Sequence, residues 1–132
     1  MADDAYRRGL AIRCEVLGAD YVDRAIAAAT DFGSAMQTYS TEVCWGGIWS
    51  RPGLSRRDRS LLNLGMIAAL NRPHELHLHV KAAIGNGLTR AEIEEALLQV
   101  AVYCGVPAGI DATRIARDAL AELDAAPHAD NG

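Results

Sequence analysis

The sequence predicts an all-α fold, and three observations lead to this prediction. Apolar residues recur at helical spacing along most of the 132-residue chain, and no segment alternates with the period of two that a half-buried strand needs. Half of the residues are apolar but only 5% are aromatic, so small aliphatic side chains must supply the core. Such side chains allow helices to pack closely. We therefore expect a single-domain helical bundle of about six helices over residues 1–132.

The N-terminal third is predicted to form two helices. Asp3 or Asp4 can cap a first helix that runs to about Leu17. Asp20 then caps a long second helix that ends near Cys44. The apolar stripe of this second helix consists of Val22, Ile26, Ala29, Phe32 or Gly33, Met36 and Val43.

A glycine-rich connector of unusual composition follows at residues 45–53. It contains Trp45, Trp49 and Arg51, and loops that expose such residues tend to line functional sites. The alternative for the two tryptophans is an anchoring role at a subunit contact, where this residue type is enriched.

The third and fourth helices are predicted from their first turns. Ser55 opens the third helix, whose second half is nearly apolar and therefore central in the fold. Pro73 suits the first turn of the fourth helix, which runs to about Asn86 and stops at Gly87.

The last two helices are marked by a capping box and a chain break. The segment Thr89-Arg90-Ala91-Glu92 opens the fifth helix, which continues to Tyr103. Gly105-Val106-Pro107 interrupts the chain, and the last helix is expected at about residues 108–123. The tail from Asp124, which includes His128, is expected to be frayed.

Charge and hydropathy exclude several classes of partner. The net charge is −4 and no basic run is interleaved with aromatic residues, so we expect no nucleic-acid partner. No apolar run approaches the ~18 residues of a membrane-spanning helix. The start Met1-Ala2-Asp3-Asp4 lacks the basic residues of a signal peptide, so a cytoplasmic protein is expected.

The three cysteines, Cys14, Cys44 and Cys104, are too far apart in sequence for a zinc site or a Cys-x-x-Cys motif. We expect free and mostly buried thiols, with Cys104 an inert buried one. His74, His77 and His79 do not share one helical face, so we expect no metal site.

The segment Asn71–His79 is the strongest candidate for chemistry. With Pro73 in the first turn, Glu75 and His79 are four residues apart on one face, whereas His74 and His77 point elsewhere and are expected to be exposed. A glutamate one turn before a histidine can accept its ring N–H and prepare it as a general acid or base. The alternative is a solvated helical face without function.

Five short motifs occur in one order along nearly the whole chain. They are Trp45-Gly46-x-Ile48-Trp49-x-Arg51-Pro52-Gly53-Leu54, Arg57-x-Arg59-Ser60-Leu61, Asn71-Arg72 with Glu75-Leu76-x-Leu78-His79, Gly87 with the capping box, and Tyr103-Cys104-Gly105-Val106-Pro107-Ala108. Together they resemble the gamma-carboxymuconolactone decarboxylase family. The resemblance implies an alkylhydroperoxidase-like fold, a homohexamer, and decarboxylation of gamma-carboxymuconolactone to beta-ketoadipate enol-lactone in protocatechuate degradation, without a cofactor.

The redox branch of the same superfamily carries a Cys-x-x-Cys just ahead of a histidine. Here Arg72 and Glu75 stand at those two positions, and His79 stands at that of the histidine. The absence of the dithiol excludes disulfide-based peroxidase chemistry.

The resemblance assigns three tasks to candidate residues. The substrate dianion requires a cation, for which Arg51 is the better candidate and Arg57 the second. The alternative for Arg57 and Arg59 is that they form only ion pairs, with Asp58 or with a neighbouring subunit. The carbon alpha to the lactone carbonyl requires a proton, from His79 with Glu75 as its partner. The developing oxyanion requires donors, and the candidates are the indole N–H of Trp45 or Trp49, the Tyr103 hydroxyl, and the backbone N–H groups near Gly46 and Gly47.

One departure from the family pattern leaves the substrate open. After Pro107-Ala108 the family usually continues with Ala-Asn, whereas this chain has Gly109-Ile110-Asp111. If Asp111 faces the pocket, a related enzyme acting on a different acidic lactone or enolisable carboxylate is favoured by like-charge repulsion. A non-catalytic oligomeric binding protein is the third alternative.

Overall fold

The computed structural model describes residues 2–126, which form helices and no strand, so the all-α prediction is confirmed. Eight helices lie in this part of the chain instead of about six. They are α1 (Ala2–Leu17), α2 (Ala19–Ala28), α3 (Ser34–Tyr39), a π-helix (Ser40–Ile48), α4 (Arg56–Ala69), α5 (Pro73–Gly85), α6 (Arg90–Cys104) and α7 (Val106–Ala125). None of the described helices is long and apolar enough to cross a membrane.

The described residues group into two compact units, 2–59 and 60–126. The prediction of one domain over residues 1–132 stays a prediction. In the first unit, α1 packs closely on the π-helix. In the second unit, α7 packs on both α5 and α6.

The first helix ends where the sequence predicts, at Leu17, because Gly18 follows with a φ of 94° that a β-carbon disfavours. Its beginning differs from the prediction. The helix already includes Asp3 and Asp4, so neither residue is its N-cap.

The long second helix predicted from Asp20 to Cys44 is wrong. The chain leaves α2 at Ala29, and Gly33 then has a φ of 114° before α3 begins. Of the predicted apolar stripe, Val22 is buried, but the later members are exposed, with 96% of Phe32 and 66% of Met36 accessible. The spacing of the apolar residues therefore fitted a continuous helix, but it did not predict which of these side chains are buried.

The tryptophan connector is also not the loop that its glycines suggest. Residues up to Ile48 continue α3 as a π-helix, and the Trp49 backbone N–H donates to the Cys44 carbonyl five residues earlier at 3.0 Å. The π register is rare and is often found at functional sites. Only residues 49–55 form turns between this helix and α4.

The capping predictions of the C-terminal half are confirmed. The Ser55 hydroxyl accepts the Asp58 backbone N–H at 3.0 Å before α4. Thr89 and Glu92 make both hydrogen bonds of the capping box that opens α6.

The last helix is longer than predicted. It begins at Val106, with Pro107 inside the first turn, where proline needs no hydrogen-bond donor. It continues through Ala125, so Asp124 belongs to the helix and not to a frayed tail. His128 lies outside the described residues.

The core of the second unit is built from aliphatic side chains, as the composition predicts. Its buried members are Leu64, Ala68, Leu76, Val80, Ala83, Leu88, Ile93, Leu97, Val100, Ala112, Ala116 and Ala119. Small residues let α6 and α7 approach closely: a β-carbon at Gly109 would lie 2.5 Å from that of Ala101. The other neighbour of α7 is α5, which carries the histidines.

Candidate active site

His79 is a buried histidine on α5. Only 7% of it is exposed, whereas Glu75, one turn earlier on the same helix, is exposed. Burial lowers the pKa of His79 from its ordinary value of 6.5, and the nearby negative charge of Glu75 acts in the opposite direction. The two residues are therefore electrostatically coupled, as their spacing predicts. A buried imidazole beside a carboxylate is a suitable general acid or base.

The other two histidines of the segment differ from each other. His74 is exposed, as predicted. His77 is only 28% exposed at its side chain, because its Nε2 lies 2.8 Å from a carboxylate oxygen of Glu122 on α7. Its predicted exposure is wrong, since α7 covers that face of α5. Among the side chains described, no group of three or more histidine, cysteine, aspartate or glutamate residues is arranged to hold a metal ion.

Trp45 and Trp49 are buried, not displayed by a loop. They are 4% and 7% exposed, and their rings stack with centroids 4.8 Å apart and planes inclined by 29°. The side chain of Trp49 also hydrogen-bonds the Cys44 thiol. Burial raises the pKa of Cys44, and that hydrogen bond and the charge of Arg13 only partly oppose the increase. The Cys44 thiol is therefore neutral at pH 7.

Gly46 lies where the π-helix crosses α1. A β-carbon at Gly46 would overlap the carbonyl oxygen of Ala5, so only glycine fits here. The Gly46 carbonyl accepts hydrogen bonds from Arg8 Nε at 3.0 Å and from the Ser50 hydroxyl at 2.6 Å. These contacts identify a packing role for Gly46.

The two arginines proposed as anion ligands have different surroundings. Arg51 is exposed in the turn after the π-helix, and its backbone carbonyl accepts a hydrogen bond from Arg59 Nη2 at 3.3 Å. Nη1 of Arg57 lies 3.8 Å from the Asp58 carboxylate, the ion pair that the sequence left open. Arg51 therefore remains the better candidate, because its side chain is presented to solvent.

Tyr103 and Cys104 end α6 on an exposed surface. Tyr103 is 79% exposed, and Cys104 is exposed too, so the prediction of an inert buried thiol is wrong. Both residues line a groove of about 700 Å³ between α4 and α6. Leu61, Leu62, Glu95 and Gln99 also line this groove, and His79 does not. This groove thus does not bring Tyr103 and His79 together.

Residues 34–118 match the model of the Carboxymuconolactone decarboxylase family. The chain is 38% identical over 125 residues to 4-carboxymuconolactone decarboxylase of Acinetobacter baylyi, which covers 95% of this chain and 93% of that protein. The chain belongs to the Carboxymuconolactone decarboxylase family.

A second relative is named for a different substrate. The nitrosuccinic acid decarboxylase npaB of Metarhizium robertsii is 43% identical over 125 residues, covering 92% of this chain and 87% of that protein. Both relatives are decarboxylases that align over most of this chain. The chain is therefore assigned to the carboxy-lyases.

The departure from the family pattern at Asp111 lies on the surface. Asp111 is exposed and pairs with Arg114, Oδ1 to Nη1, at 3.1 Å. It lines a hollow of about 250 Å³ together with Asn71 and Arg72, at the N-terminal end of α5. His79 is not among the residues that line this hollow. The position of Asp111 therefore gives no support to repulsion of a substrate carboxylate at His79.

Sequence reasoning missed a buried arginine of this family member. Arg13 on α1 is only 5% exposed, and its Nη1 donates to the Thr41 hydroxyl oxygen at 3.1 Å. A signal was present, because Arg13 follows the buried Gly9 by four residues and precedes the buried Val16 by three. The arginine thus lies on the buried face of α1. A search for apolar residues at helical spacing does not find it, because arginine is charged.

Proposed function

We propose that this carboxy-lyase acts on a small dicarboxylic acid that supplies its own electron acceptor, and that gamma-carboxymuconolactone is the first candidate. The family and the Acinetobacter baylyi relative support this substrate. The product would be beta-ketoadipate enol-lactone, formed in protocatechuate degradation. No cofactor is needed, because the substrate itself accepts the electron pair that remains when carbon dioxide leaves.

The departing carboxylate of gamma-carboxymuconolactone sits on a ring carbon that is conjugated through a double bond to the lactone carbonyl. When the bond to that carboxylate breaks, its electron pair moves along the conjugated system and gives a furan-like oxyanion. One proton is then added to the carbon alpha to the carbonyl. The protein must therefore bind an anion, stabilise an oxyanion and deliver a proton.

Nitrosuccinic acid is the second candidate, and the 43% identical relative favours it. Its nitro group is attached to a carbon that also carries a carboxylate. Loss of carbon dioxide from that carbon moves the electron pair into the nitro group as a nitronate, and a proton then returns to the carbon. The two acids thus demand the same steps, and both keep a second carboxylate.

His79 is proposed as the proton donor, with Glu75 as the partner that raises its proton affinity. The observation that carries this role is the burial of His79 one turn from a carboxylate. Burial excludes water, which strengthens electrostatic interactions within a site. His79 must be protonated to act as an acid, and the negative charges of Glu75 and of the bound substrate both favour that form.

The remaining roles are proposed for residues with fewer structural observations. Arg51 is proposed to hold a substrate carboxylate, and Arg57 is the second candidate. The donors proposed for the oxyanion are the indoles of Trp45 and Trp49, the Tyr103 hydroxyl and the backbone N–H of Gly46. Of these, Gly46 also has a clear packing role, since it lies at the close contact between the π-helix and α1.

The assembled protein is proposed to be a cytoplasmic homo-oligomer, a hexamer by family resemblance. Exposed apolar side chains support assembly, and in the second unit they include Leu62 and Met66 on α4 and Leu70 directly after it, spaced four apart. A monomer rarely exposes such a stripe without a partner.

Release of carbon dioxide from each acid tests the proposal. The experiment compares the wild-type protein with His79→Ala and with His74→Ala, a matched control for an exposed histidine on the same helix. We expect turnover of at least one acid, a loss on the order of 10²–10⁴-fold in His79→Ala, and little change in His74→Ala. Turnover of neither acid would reject the substrate class, and wild-type turnover in His79→Ala would reject the role of His79.

A further inference from the structure

A buried cation without a counter-charge lies in the first unit. Arg13 is 5% exposed, and arginine stays protonated at any pH at which a protein is folded. Among the side chains that the structure describes, no carboxylate forms an ion pair with Arg13. Burying a charge without a partner costs several kcal/mol, so such arginines are rare unless something pairs with them.

The hydrogen bonds of Arg13 leave one edge of its guanidinium unused. Nη1 donates to the Thr41 hydroxyl oxygen, and that hydroxyl donates in turn to the Gln37 carbonyl at 2.8 Å. Among the described residues, Nε is buried without a partner, and Nη2 makes no hydrogen bond. Nε–H and Nη2–H point the same way from one edge, which is the fork that matches the two oxygens of a carboxylate.

Neighbouring groups do not neutralise this charge. The Cys44 thiol feels the charge of Arg13, but burial keeps it protonated. Thr41 is fully buried, and its hydroxyl hydrogen is used by Gln37, so it orients the guanidinium without adding charge. Gln37 also has a side-chain oxygen, Oε1, that is buried without a partner. Since the oxygen and nitrogen of an amide exchange by rotation, this group can accept or donate.

We infer that Arg13 is a binding residue for a carboxylate of a small organic acid, held side-on by Nε and Nη2. This inference rests on the proposed function, in which the substrate keeps one carboxylate throughout the reaction. An anion at Arg13 would supply the missing counter-charge and make two charge-assisted hydrogen bonds. Pre-orientation by Thr41 reduces the entropy lost on binding.

Binding of succinate, a dicarboxylate without an electron acceptor, separates binding from turnover. Isothermal titration calorimetry on the full chain would compare the wild-type protein with Arg13→Met and Arg13→Lys. Arg7→Met is the matched control, because Arg7 is an exposed arginine on the same helix. We expect Arg13→Met to bind succinate at least tenfold more weakly, Arg13→Lys to be weakened because it keeps the charge and loses the fork, and Arg7→Met to match the wild type.

Thermal unfolding without succinate distinguishes a ligand site from a structural arginine. Removing an uncompensated buried charge should leave the Tm of Arg13→Met unchanged or raised. A large drop in Tm, or succinate binding equal to that of the wild type, would overturn the inference. If Arg13→Met does not fold, Arg13→Lys decides: unchanged succinate affinity overturns the inference, and weakened affinity at an unchanged Tm supports it.

Two results separate this inference from the proposed function. Succinate binding that depends on Arg13, in a protein that decarboxylates neither candidate acid, would support the inference and reject the function. Turnover with an unchanged KM in Arg13→Met would support the function and overturn the inference. A third result would also overturn the inference. If Arg13→Met binds succinate like the wild type but has a different molecular mass in solution, Arg13 pairs with a carboxylate of another subunit.

Discussion

Gly9 of α1 lies directly against the backbone of Thr41 in the π-helix, where a β-carbon on Gly9 would overlap the Thr41 carbonyl oxygen. The reverse contact is also close, since a β-carbon on Gly46 would overlap the Ala5 carbonyl. Two glycines on facing helices therefore set the distance between them. That distance also brings Arg13, one turn after Gly9, within hydrogen-bond reach of Thr41.

Replacement of Gly9 by alanine tests this crossing. The added methyl group meets backbone atoms that cannot rotate away, so the helices must separate, at a cost of about 1–3 kcal/mol in the free energy of unfolding. The matched control is Gly65→Ala in α4, where a β-carbon meets no atom within 4 Å. There alanine should be neutral or stabilising by up to about 1 kcal/mol. Urea unfolding measures both, and equal midpoints for Gly9→Ala and the wild type would contradict the close crossing.

The pH dependence of stability tests the environment of His79. Its pKa in the folded protein is lowered, so the unfolded chain takes up the proton first as the pH falls below about 6.5. Stability should therefore decrease from about pH 6.5 down to the lowered pKa, by at most about 1.4 kcal/mol per pH unit. Glu75→Gln removes the charge that raises this pKa and should extend the decrease to lower pH. Urea midpoints measured from pH 7.5 to 5 should show a flatter profile in His79→Gln, and a profile parallel to that of the wild type would refute the assignment.

The C-terminal half could be predicted from sequence because its signals are local. Pro73, the capping box at Thr89 and Glu92, and Gly87 each act within one turn of a helix, and each gave a correct boundary. Helical spacing likewise predicted that Glu75 and His79 lie one turn apart on the same helix, where the charge of Glu75 acts on His79. The fold class followed from the same periodicity.

The N-terminal half was harder because its structure depends on packing. Apolar spacing could not show that the chain breaks near Gly33, or that the residues after Tyr39 adopt a π register. Trp45 and Trp49 stack inside the first unit because the π-helix continues through Gly46, which residue composition had assigned to a loop. Arg13 was missed because burial of a charged side chain depends on a facing helix that is 28 residues away in sequence.

The contacts of Glu122 predict a second pH effect. Its carboxylate accepts hydrogen bonds from Lys81 Nζ and His77 Nε2, both at 2.8 Å, and these bonds lower the pKa of Glu122 below 4.5. The stabilisation is therefore present above pH 4.5 and is lost as the pH falls through the lowered pKa. Glu122→Gln should be slightly less stable than the wild type at pH 7, and the two should converge in acid. Asp118→Asn, one turn earlier on α7, is the control, and a difference that persists below pH 3 would argue against the ionic contacts.

Assembly is tested through the apolar stripe of α4. If Leu62 and Met66 are covered by another subunit, the mass in solution should exceed the 14.1 kDa of the chain, and a hexamer is expected from family resemblance. Glutamate at both positions should lower that mass, because burying two carboxylates in an apolar contact is costly. Light scattering at micromolar protein measures the mass. A monomer in the wild-type protein would refute assembly, and an unchanged oligomer in the double variant would place the contact elsewhere.

The exposed side chain of Arg51 gives the most specific kinetic prediction. Lysine at this position keeps the charge but loses the planar fork that binds both oxygens of a carboxylate. If Arg51 holds the carboxylate that is retained, Arg51→Lys should raise KM by on the order of tenfold, with a smaller fall in kcat from imperfect positioning.

If Arg51 instead only braces the tryptophans, Arg51→Lys should lower the Tm or give a smaller oligomer, with unchanged kinetic constants. Trp45 and Trp49 already stack on each other, and the turn is held through the Arg51 backbone carbonyl, which lysine retains, so we expect the Tm to stay constant. Kinetics, Tm and mass measured on one preparation separate these outcomes, and an unchanged KM with an intact oligomer would remove Arg51 from the site.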